Sequence, residues 1–85
     1  MPNFKFCSHA EAKFQILKEH GFLITKKQVI NTIKEYDSKE KGKDNRVVFQ
    51  KIFDEDHVLR VICEKNNGKI VVVTFYPGRR SYYEN

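Results

Sequence analysis

Arginine and tyrosine dominate the chemistry open to this chain. The closing segment R-R-S-Y-Y sets Arg79 and Arg80 beside Tyr82 and Tyr83, directly after the apolar run I-V-V-V-T-F-Y-P-G. Chain ends are usually poorly ordered, and plain polar residues suffice there. A guanidinium binds phosphate through a planar fork, and a phenol stacks on a base or polarises a ribose hydroxyl. Cleavage of RNA by its own 2′-hydroxyl needs a base, an acid and positive charge, and no metal. The same tyrosines would equally serve as an apolar latch that holds the tail to the body.

A second arginine stands out. In H-V-L-R-V-I-C-E, strand alternation puts Val58, Arg60 and Ile62 on one face and Leu59, Val61 and Cys63 on the other. Arg60 then sits among apolar neighbours at the middle of a sheet. It is either structural, ion-paired with Glu55, Asp56 or Glu64 or solvated on the open face, or it is a phosphate clamp. The second reading adds Arg46 and Lys51 on the strand before it and Arg79 and Arg80 beyond the strand after it, which neighbouring strands would gather on one surface. Such a surface calls for a polyanion.

The net charge of +5 suits the same kind of partner. Nine of the twelve lysines precede residue 45, whereas the four arginines, Arg46, Arg60, Arg79 and Arg80, follow it. An anion site is therefore expected in the second half. His9, at the start of a helix, is surface packing or a proton carrier near free amides. His57, beside D-E-D, reads as a turn residue. His9, His20 and His57 share no metal-ligand spacing, so no metal or other cofactor is expected. No Ser-His-Asp or Cys-His arrangement and no glycine-rich phosphate loop is legible. Cys7 and Cys63 read as reduced core thiols of a cytoplasmic protein. No signal peptide and no run of ~18 apolar residues suggests a membrane.

The elements that must carry these residues follow from pattern. S-H-A-E reads as a capping box, Ser8 with Glu11, opening a helix from about His9 to His20, with Ala10, Phe14 and Leu17 on its buried face. Lys13 points away from that face. T-K-K-Q reads as a second box, Thr25 with Gln28, whose helix buries Val29, Ile30, Ile33 and Tyr36. The link G-F-L-I predicts an αα-hairpin or corner. Residues 37–45, D-S-K-E-K-G-K-D-N, read as a solvated loop. Strands are predicted over Arg46–Phe53, His57–Glu64 and Lys69–Tyr76, with a further short one at Asn3–Phe6 on an edge. The expected fold is α+β, one domain over residues 1–85, with an N-terminal helical hairpin on an antiparallel sheet of three to four strands.

Taken together, F-C-S-H-A-E-A-K-F, H-G-F-L-I-T-K-K-Q-V-I, L-R-V-I-C and V-V-V-T-F-Y-P-G-R-R-S-Y-Y resemble a small domain-of-unknown-function (DUF) family with an S-x-H-A start. Its members look like relatives of the RelE/ParE and BrnT toxins of type II toxin-antitoxin systems. The resemblance implies a RelE-like domain and a toxin-like, metal-independent endoribonuclease of the mRNA interferase type. It also implies an acidic or DNA-binding antitoxin as protein partner. Carried onto this chain, the catalytic candidates are His9, Arg60, Arg80, Tyr82 and Tyr83, and the RNA-binding candidates are Lys13, Arg46, Lys51 and Arg79. Many members have arginine where this chain has Lys13 and near the link where it has His20, which weakens a phosphate role for the first helix. The alternative is a non-catalytic RNA- or protein-binding module that uses the same basic sheet face.

Overall fold

A computed structural model describes residues 3–84. The chain forms β1 (Asn3–Phe6), α1 (Ser8–Glu19), α2 (Lys26–Lys34), β2 (Ser38–Lys41), β3 (Arg46–Ile52), β4 (His57–Asn66), β5 (Lys69–Arg79) and a terminal turn of helix, α3 (Arg80–Tyr83). The strands make one sheet in the order β1-β5-β4-β3-β2.

This α+β architecture corrects the expected one in three respects. The sheet has five strands, because Ser38–Lys41, expected to be a solvated loop, pairs antiparallel with β3 from Ser38 against Gln50 to Lys41 against Val47. All four of its residues are exposed, so backbone hydrogen bonds hold it and no apolar pattern marks it. Asp44 and Asn45, both in left-handed backbone, turn the chain back into β3. The sheet is also mixed, since β1 runs parallel to β5. No short turn joins these two strands, so nothing local sets their relative direction.

The third correction concerns the helices, which do not form a hairpin packed on each other. Each has one narrow buried stripe, and both stripes face the sheet. Ala10 and Leu17 of α1 are buried over β5, and Val29, Thr32 and Ile33 of α2 over β3 and β4. Gly21, at φ 89°, ends the first helix, and Phe22 and Ile24 of the link turn into the common core. The Ser8 box is absent as well: Cys7 is the N-cap without a side-chain hydrogen bond, and Glu11 reaches Lys26 at 3.0 Å instead.

The box at Thr25 does form. The Gln28 amide donates to Thr25 Oγ1 at 3.1 Å and the Thr25 amide to Gln28 Oε1 at 2.9 Å. Thr25→Ala is expected to lower stability by about 1 kcal/mol in a denaturant melt, with Thr25→Ser close to wild type. Tyr36, placed on the buried face by periodicity, lies beyond the end of α2 and is 43% exposed.

One irregularity decides what the last strand presents. Between Ile62 and Cys63 the β4–β5 register slips, so Ile62 faces Thr74 while Cys63 faces Val72, and Val73 is the extra residue. Its carbonyl accepts the Cys7 thiol at 3.1 Å. A bulge reverses the alternation beyond it. Val72 and Phe75, three apart, are therefore both fully buried beneath the helices, and Tyr76 is delivered to the opposite face. Cys63 is buried in the same core, and burial pushes its thiol up to about 12, so it stays protonated and inert.

Candidate functional site

The face of the sheet turned away from α1 and α2 carries the Arg60 cluster. The strand registers set Gln50, Arg60 and Tyr76 side by side across β3, β4 and β5. Arg60 Nε donates to the Tyr76 hydroxyl at 3.0 Å, and Nη1 donates to Gln50 Oε1. Glu40, on β2, brings a carboxylate oxygen to 3.6 Å from Nη1. Arg60 is 7% exposed yet has the polar contacts of its guanidinium supplied by three strands, which is what a charge in such a position requires.

The tail closes over this cluster. Tyr83 folds back so that its ring centroid lies 4.2 Å from Arg60 Cζ, a stacked cation–π contact. Tyr82 meets the Tyr83 ring edge-on at 4.9 Å and is 79% exposed. Gly78 makes room: a Cβ there would come within 2.3 Å of Tyr83 Cε2. Beneath the tail, Val58 is fully buried although it lies outside the helix-side core. The Tyr83 phenol is held above its ordinary value, first by its interaction with the Tyr76 hydroxyl and then by burial, with Arg60 pulling the other way.

Arg80 anchors the tail. Its amide donates to the Asp56 carbonyl at 2.8 Å, Nη1 to the Glu55 carbonyl at 3.2 Å, and Nε to the Glu84 carboxylate at 2.7 Å. Hydrogen bonding and charge from Glu84, with smaller contributions from Asp56 and Asp54, raise its pKa further. A shallow cavity of about 450 Å³ lies beside it, with Arg79, Ser81 and His57 in its wall. His57 Nδ1 is 2.9 Å from Asp54 Oδ1, which also accepts the amides of Asp56 and His57. Burial opposes ionisation of Asp54, but these hydrogen bonds outweigh it and hold the carboxyl below its ordinary value. That arrangement pins the β3–β4 turn.

The nine candidate residues therefore separate. Arg60, Tyr82 and Tyr83 come together, and Arg46 lies on the same face, opposite Glu64 at the far end of β3. Lys51 faces the other side, where its ammonium donates to the Glu35 carbonyl at 3.0 Å at the end of α2. Arg79 is exposed at the end of β5, opposite His57. His9 and Lys13 ride on α1, across the sheet from Arg60. Gln50, Tyr76, Glu40 and Gly78 belong to the cluster without having been singled out. An isolated glutamine in R-V-V-F-Q-K-I was the available signal for Gln50, and none existed for Tyr76, whose face depends on the bulge.

No protein-family model, no curated protein and no solved structure matches the chain. Among the described residues, no group of three or more His, Cys, Asp or Glu side chains is placed to hold a metal ion, and no helix is long and apolar enough to cross a membrane.

Proposed function

We propose that the face of the sheet around Arg60 binds single-stranded RNA. The observation that carries this reading is the Arg60–Tyr83 stack with exposed Tyr82 beside it, on a sheet face the two long helices leave uncovered. Aromatic rings on an open sheet offer stacking platforms to unpaired bases. Arg46 on the same face and the net charge of +5 supply attraction for the phosphates. Half-buried Val48, Ile62 and Thr74 between them give a flat floor.

A second reading is the toxin-like endoribonuclease, with an acidic or DNA-binding antitoxin as its partner. It draws on two phenols next to a guanidinium, the minimum that 2′-hydroxyl attack asks for besides a base. A phenol held above its ordinary value, as Tyr83 is, is not a ready base. His9 would have to act from across the sheet, which is why binding is preferred to cleavage.

Titrating a fluorescent ten-nucleotide RNA with the protein tests both. Binding should weaken as salt rises, and Tyr82→Ala should cost on the order of tenfold in affinity, the loss of one stacked base. Absence of binding at low salt would sink the RNA reading. Appearance of a shorter RNA with a cyclic phosphate end, abolished by Tyr83→Phe in a folded protein, would favour the nuclease instead.

A further inference from the structure

A second surface lies on the other side of the molecule. The outward stripe of α2 presents Lys27, Ile30, Asn31 and Lys34 at i, i+3, i+4 and i+7, and with Gln28 they line an open groove of about 470 Å³. A smaller groove of about 150 Å³ continues from Gln28 and Asn31 to Lys51, Ile52 and Phe53. No carboxylate lines either groove, in contrast to the cavity at the tail, where Glu55 and Asp56 form part of the wall. Lys27 and Lys34 make no ion pair among the described residues, whereas neighbouring Lys26 is held by Glu11. Ile30 is half-buried at the first groove and Phe53 at the second.

We infer that these joined grooves are a docking surface for an acidic amphipathic helix of a partner protein. Lys27 and Lys34 are seven residues apart, or about 10 Å along the axis, and carboxylates seven residues apart on a facing helix recur at the same spacing. Ile30 and Phe53 offer apolar footing that a leucine stripe would cover and a phosphate backbone would not. A second copy of this chain, itself at +5, would be repelled. The partner helix finds a firm seat, because α2 is capped at Thr25 and pinned at Glu35 by Lys51.

The inference stands apart from the RNA reading, and one set of amide chemical-shift titrations separates them. The probe is a helix-stabilised fourteen-residue peptide with leucines on one face and flanking glutamates. Its controls are the same peptide with lysines for the glutamates, and a uridine decamer. The acidic peptide is expected to shift amides of residues 27–34 and 51–53, and the lysine peptide is expected to leave them unmoved. Lys27→Glu combined with Lys34→Glu should weaken binding by at least about tenfold with an unchanged thermal melt. Ile30→Ala, at the half-buried floor of the groove, should also weaken it. Shifts elsewhere, equal response to both peptides, no response at about 1 mM peptide, or α2 shifts produced by the uridine decamer would overturn the inference.

Discussion

Arg60→Ala is expected to reduce affinity for single-stranded RNA by one to two orders of magnitude and to lower stability by about 1–3 kcal/mol. The stability loss arises because Gln50, 7% exposed, and Tyr76 keep their polar atoms in place and lose the group that satisfied them. The Glu40 contact adds little, since that carboxylate is 63% exposed and well screened. Two companions separate the roles. Arg60→Lys keeps the charge without the fork and should recover only part of either property. Arg60→Met with Gln50→Met removes both ends of the buried hydrogen bond, and should recover much of the stability while leaving RNA affinity low. A double variant that bound RNA like wild type would show that Arg60 is a structural residue only, and would move the RNA site elsewhere.

Gly78→Ala is expected to undock the tail. Alanine in place of a glycine whose backbone tolerates it ordinarily stabilises by about 0.4–1 kcal/mol, so a loss here would carry the steric signature. The added Cβ would lie 2.3 Å from Tyr83 Cε2 and 2.7 Å from Cδ2, so the ring must shift from its place against Arg60 to make room. Losing the stack and uncovering Val58 should lower stability by about 1–2 kcal/mol, a fall of several degrees in Tm for a chain of this size. The decisive measurement is a double-mutant cycle. Once Tyr83→Ala has removed the ring, Gly78→Ala should cost nothing more. Additive losses would mean that the glycine is needed for some other reason.

These two residues show how unevenly the site was legible. Alternation alone put Arg60 on a face with Val58 and Ile62, and the residue types of R-R-S-Y-Y marked the tail for attention. What joins them is the reversal of the chain at α3, made by Arg80 reaching the carbonyls of Glu55 and Asp56. That contact spans 25 residues, beyond any local pattern. Gathering cations by strand proximity failed for Lys51, because neighbouring positions on a strand point to opposite faces and register alone decides which one shares a face with Arg60.

The fold divides along the same line. The T-K-K-Q box, the apolar stripes of both helices apart from Tyr36 and the three long strands were determined by local spacing, since capping and amphipathic periodicity act within one element. Three features were decided only in the tertiary structure. A polar strand, Ser38–Lys41, exists because β3 offers it an unpaired edge. The parallel pairing of β1 with β5 depends on how the intervening chain crosses the sheet. The bulge at Val73 reverses the facing of Thr74 to Tyr76, so that one strand feeds Val72 and Phe75 to the core and Tyr76 to Arg60. Sequence alone determines which side chains are available. Pairing register, a property of two strands at once, decides which of them meet.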